Sequence, residues 1–95
     1  MYAERHAGTG VVVSHVRTWH VELSIAEETD TAAATAILTT DNGIVVRVSQ
    51  QTPRNGGDVA APEIGAEIAA GHALGELARE LMSRAAQDAE SLARG

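Results

Sequence analysis

The tripeptide Asp41-Asn42-Gly43 constrains this chain more than any other feature. Asn-Gly between two apolar runs is the strongest short-range hairpin signal, because both residues tolerate the positive φ that a tight turn demands. The run before it, Thr31 to Thr40, is alanine-rich enough to suit a helix on propensity alone. The turn requires a strand there instead. Read as one, Ala34, Ala36 and Leu38 fall on one parity, and Thr35, Ile37 and Thr39 on the other. The run after the turn, Ile44 to Gln50, sets Ile44, Val46 and Val48 on one face. An earlier strand starts at Thr18, with Trp19, Val21, Leu23 and Ile25 alternating against His20, Glu22 and Ser24. The polar segment Glu27-Glu28-Thr29-Asp30 turns it back.

Beyond the third strand, Thr52 to Asp58 holds Pro53, Asn55, Gly56 and Gly57 and reads as a loop. Pro62 then suits a first helical turn, where its missing N–H is not needed, and Glu63 and Glu67 complement the positive end of the helix dipole. At about 100° per residue, Ile64, Ile68, Leu74, Ala78, Leu81, Met82, Ala85, Ala89 and Leu92 form one broad apolar stripe. Charged residues such as Glu76, Arg79, Glu80 and Arg84 lie opposite. The stripe is wider than contact with one sheet needs, so the helix is expected to cover a second surface too. The fold class that follows is α+β, a three-stranded antiparallel sheet packed against one long C-terminal helix in the order β-β-β-α. One domain spans residues 17–93, preceded by a flexible extension over residues 1–16.

Ninety-five residues without a cysteine make a small domain that neither disulfides nor a thiolate metal site can staple. No run reaches the roughly 18 to 20 apolar residues a membrane span needs, and the N-terminus lacks the apolar stretch of a secretory signal, so a cytoplasmic protein is expected. The formal charge is -6, and all seven basic residues are arginine. That balance argues against generic attraction to DNA, RNA or anionic lipid, since phosphate binding rests on clustered cations. A local arginine patch stays compatible with it.

The segment Ala61-Pro62-Glu63-Ile64-Gly65-Ala66-Glu67-Ile68-Ala69-Ala70, continuing through Leu74-Gly75-Glu76-Leu77-Ala78, resembles an uncharacterised actinobacterial family that reads roughly P-E-I-G-D-E-L-A-x-A-R-A-L-x-D-L-A there. Trp19 to Ile25 and the spaced Ala34, Ala36 and Leu38 resemble it as well, and the likeness covers about Thr18 to Leu92. It implies a fold like the double-stranded-RNA-binding domain, also compared with ribosome hibernation promoting factors. It further implies dimers and association with a ribosome or structured RNA in stress or dormancy. The chain departs from the pattern at Ala66 and His72, and at Val45 and Arg47 where the family tends to glycine.

A double-stranded-RNA-binding domain sets a basic cluster at the start of its last helix; Glu63 and Glu67 stand there instead. Arg17, Arg47 and Arg54 are the alternative, a patch at the sheet edge, set against the plain reading of scattered solubilising cations. For metal, His20 with Glu22 and His72 with Glu76 give only pairs, whereas structural sites need about four ligands, so neither metal nor cofactor is expected. No nucleophile elbow, Walker loop or dinucleotide fingerprint occurs, and three strands with one helix rarely enclose a cleft, so no catalytic residue is assigned and the chain is not expected to be an enzyme. Gly71 and Gly75 form a flat strip where another backbone approaches closely, either the subunit's own sheet or a second copy. Ile37 and Val45 lie on the sheet face away from the expected core. Together these four residues mark a homodimer interface. A protein-binding module that never touches RNA is the alternative.

Overall fold

The computed structural model describes residues 14–53 and 62–95. Most of the N-terminal extension, Arg54 and the remainder of the expected loop lie outside those residues. Among these residues three strands, β1 (His20–Glu27), β2 (Thr31–Thr39) and β3 (Val45–Pro53), precede one helix, α1 (Pro62–Arg94). The sheet is antiparallel with order β1-β2-β3, so β2 is central and both other strands are edges. The expected β-β-β-α architecture is therefore the one observed.

The hairpin differs in detail from a two-residue turn. Thr39 pairs with Val45, and Thr40 N–H donates to the Ile44 carbonyl at 2.9 Å. Gly43, with φ near 90°, is the one left-handed residue of the loop. Three residues thus connect the strands, with glycine alone taking the positive φ. The Thr40 hydroxyl fixes the loop by donating to Asn42 Oδ1 at 2.6 Å and accepting from Ile44 N–H at 3.0 Å.

β2 follows the alternation read from its sequence: Ala32, Ala34, Ala36 and Leu38 are buried, and the residues between them are half-buried or exposed. Register carries the inner face sideways, with Ala36 opposite Leu23 on one side and Val48 on the other. α1 lies across this face, and here the expected stripe is corrected. The buried helical positions are Gly65, Ala69, Ala73 and Leu77, spaced four apart. Ile64, Ile68, Leu74, Met82 and Leu92, assigned inward from their size, are exposed. The reason is steric. A sheet surface of alanines is nearly flat, and only small helical residues let the two backbones approach closely enough to exclude water. Ala34, Ala36, Ala69 and Ala73 are all 0% exposed, which such an approach produces.

The resulting core is narrow: among the described residues eight apolar side chains are buried, five of them alanine and the others Leu38, Val46 and Leu77, with no buried polar group. β1 is only partly covered, since Leu23 alone packs against the core while Trp19, Val21 and Ile25 stay well exposed. Because the alanine contact has no slack, Ala73→Leu is expected to destabilise the domain by about 1–3 kcal/mol, measured by urea unfolding.

Candidate interaction surfaces

Arg17 stands just before β1, where it meets the β2–β3 loop. Its Nε donates to Asp41 Oδ2 at 2.9 Å and its Nη2 to Asp41 Oδ1 at 3.1 Å. The Trp19 indole N–H donates to the same Asp41 Oδ1 at 3.0 Å. The hydrogen bonds from Arg17 chiefly, with that from Trp19 and the guanidinium charge, hold the Asp41 carboxyl below its ordinary range against opposing desolvation. This cluster pins the start of β1 to the hairpin. It also removes Arg17 from any free cation patch.

Arg47 lies on the outer sheet face, exposed, opposite Ile37, with Glu22 in the same row on the far strand. Two strand spacings, about 9–10 Å, separate the backbones of Glu22 and Arg47. Arg17 lines the wedge on the helix side of the sheet, so it and Arg47 do not meet in one patch. Arg79 is paired with Glu76 at 2.9 Å and Arg84 with Glu80 at 3.1 Å along α1. Of the two metal pairs considered from sequence, His20 and Glu22 share the outer face of β1, whereas the other is committed elsewhere: His72 Nδ1 hydrogen-bonds Thr52 Oγ1 at 3.1 Å, tying α1 to the end of β3, while Glu76 holds Arg79. Among the described residues no group of three acidic or histidine side chains gathers as a metal site would need.

The four residues expected in a dimer interface separate onto opposite sides of the two layers. Half-buried Ile37 and Val45, 57% exposed, lie on the sheet face turned away from the helix. Gly71 and Gly75 lie on the helix face turned away from the sheet. A methyl group added at Gly71 would meet nothing, and at Gly75 only the tip of Arg79 at 4.0 Å. Close packing within the subunit is thus not why glycine stands at either place. Gly65, which is buried, serves that contact instead.

What the sequence reading missed is the order within the exposed helical face. Ile64, Ile68, Gly71, Gly75, Ala78, Met82, Ala85, Ala89 and Leu92 follow one another in strictly alternating steps of four and three. That is the spacing of a helix seam that meets another helix. The seam was legible in the residue numbers, but it was merged with Leu74 and Leu81 into one broad stripe. A separate feature is an open wedge of about 460 Å³ where α1 passes the end of the sheet, lined by Trp19, Ile44, Val46 and Leu81 with Glu80 and Arg84 at its mouth. Arg17, Glu80 and Arg84 of its lining are held in ion pairs, whereas Asp88 has none among the described residues, so its surface is mixed apolar and polar.

A three-stranded antiparallel sheet under one long C-terminal helix defines a small α+β domain. Residues 17–95 match the Rv2632c-like family, and the chain belongs to that family. No curated protein and no solved structure matches it. No helix among the described residues is long and apolar enough to cross a membrane.

The chain has a single tryptophan, and its indole reports on Asp41. Since the folded carboxyl titrates below its unfolded value, its contribution to stability is complete at neutral pH and is lost as the pH falls through that lowered value, below about 4. Trp19 emission is expected to shift with a midpoint under the ordinary aspartate value, and Arg17→Ala should move that midpoint upward, as read by fluorescence titration.

Proposed function

We propose that this protein is a non-catalytic, cytoplasmic homodimer whose work is to bind another macromolecule. The observation that carries the reading is the uncovered apolar face of α1. Met82 and Leu92 are 71% and 82% exposed on a domain whose buried core is mostly alanine. Apolar surface arranged this way on a small chain marks an association site. The non-catalytic reading is supported by the open shape of the wedge, where the one carboxylate outside an ion pair, Asp88, is exposed to water rather than sheltered as a general base needs to be.

A second reading concerns what the dimer binds. Resemblance to the double-stranded-RNA-binding fold suggests a ribosome or structured RNA, and one observation favours it. Beside Ile37 and Val45, the outer sheet face carries Thr35 and Ser49, which share a hydrogen bond at 3.1 Å, and Arg47, exposed without an ion pair among the described residues. Against it stand the net charge of -6 and the intramolecular pairing of Arg17. A purely protein partner on the same face is the competing account.

Light scattering at tens of micromolar protein is expected to give twice the chain mass of 9.9 kDa; a monomer at that concentration overturns the dimer. Co-sedimentation with ribosomes over a salt series separates the partner readings. Binding that weakens with salt and is lost in Arg47→Glu supports the RNA reading, and no binding even at low salt ends it.

A further inference from the structure

We propose that two copies pair through α1 in an antiparallel register, with Gly71 of each subunit receiving Met82 of the other. This rests on the dimer reading above and specifies its surface. Antiparallel helices bring the positions reached by a four-residue step against those reached by a three-residue step. One register places large beside small in three kinds of layer and glycine beside alanine in the fourth, next to the two-fold axis. Ile64 meets the partner's Ala89, Ile68 meets the partner's Ala85, Gly71 meets the partner's Met82, and Gly75 meets the partner's Ala78. The two-fold axis repeats each pair, so eight positions are filled with no bulky layer stacked on an empty one. A parallel pairing would set each residue against its own copy. Isoleucine on isoleucine would then hold the helices apart beside two successive glycine layers, leaving voids that close-packed interfaces do not tolerate.

The glycines give a second, independent reason. Both lie within a long helix at ordinary helical φ, where glycine is unfavourable, and nothing inside the subunit excludes a larger side chain at either position. An approaching helix from another copy does exclude one.

The size of the contact is adequate. Ile64 to Leu92 spans about 42 Å of helix, and two faces about 10–12 Å wide bury on the order of 1,000 Å² in total, the lower bound of stable interfaces. A seven-residue repeat drifts about 20° per heptad on a straight helix, so the pair crosses at a shallow left-handed angle of about 20°. The sheets end up outermost, which leaves both polar outer faces free. The register also brings Glu67 near the partner's Asp88 at each end, so added salt should tighten the pair by screening like charges.

The chain's lack of cysteine makes the test direct. Ile68→Cys and Ala85→Cys, both at exposed positions, are made separately and oxidised alone and as an equal mixture, with circular dichroism confirming the helix in each. The expected result is a disulfide-linked species only in the mixture. A disulfide in either variant alone shows parallel pairing and overturns the register. Dimers by light scattering with no disulfide in any sample place the interface elsewhere, on the outer sheet face or the β1 edge, and overturn the inference while the dimer reading stands. Monomers throughout overturn both. In the otherwise unaltered chain, Gly71→Ala should weaken dimerisation tenfold or more with helix content kept; unchanged dimerisation, or a dimer that loosens as salt is added, contradicts the seam.

Discussion

Everything in this fold depends on a close, alanine-lined contact between one helix and the middle of a three-stranded sheet. Ala34 and Ala36 on β2 face Ala69 and Ala73 on α1 with no solvent reaching any of them. Small side chains bring backbones near each other and bury surface without rotamer entropy. They also bury little apolar area each, so the contact holds the layers together without a deep core. The larger apolar groups of the chain cannot enter such a contact. Ile64, Ile68 and Met82 are displaced to the opposite side of α1, and Trp19, Val21 and Ile25 to the partly covered inner face of β1. The exposed apolar surface and the core are thus two consequences of one choice of residue size.

How much of this could be read in advance differs by level. Strand parity was legible because β pairing has a period of two, and the buried set Ala34, Ala36 and Leu38 emerged even from an alanine-rich run once the Asn42-Gly43 turn was recognised. The conformation of that turn was legible only in part, since Gly43 alone takes a positive φ and Asn42 does not. The helix was legible, but its inward face was not. Weighting by hydrophobicity sends the largest side chains inward, whereas a flat sheet surface selects the smallest. Only the knowledge that β2 offers alanines would have turned attention to Gly65, Ala69 and Ala73. The Arg17–Asp41–Trp19 cluster joins residues 24 and 22 positions apart, a separation that carries no local pattern.

Charge is organised on the same economy of scale. The chain is acidic overall, yet Arg17, Arg79 and Arg84 are each held by a carboxylate of the same subunit. Such exposed pairs contribute little to stability. Their effect is to keep the inner end of the sheet and one flank of α1 electrically quiet, so the surfaces left for recognition are distinguished by shape and polarity rather than by a strong field. Arg47 on the outer sheet face, opposite Ile37, and Arg94 at the end of α1 have no such partner among the described residues.

The length of α1 closes the argument. Strands of eight and nine residues extend roughly 27–30 Å, while a helix of 33 residues extends about 50 Å. From Met82 to Arg94 every residue is exposed, so more than three turns run past the sheet that supports the rest. A helical segment of that length is marginal in water when nothing packs against it. Glu80 and Arg84 offer one favourable pair there, too little to hold it. Ala85, Ala89 and Leu92, by contrast, continue without a break the spacing that begins at Ile64 over the sheet. The pattern stays in phase over a stretch in which every residue is exposed, where one subunit alone gives it nothing to bury. In the proposed pairing a second helix of the same chain would have the length and the alternation of large and small side chains to cover it.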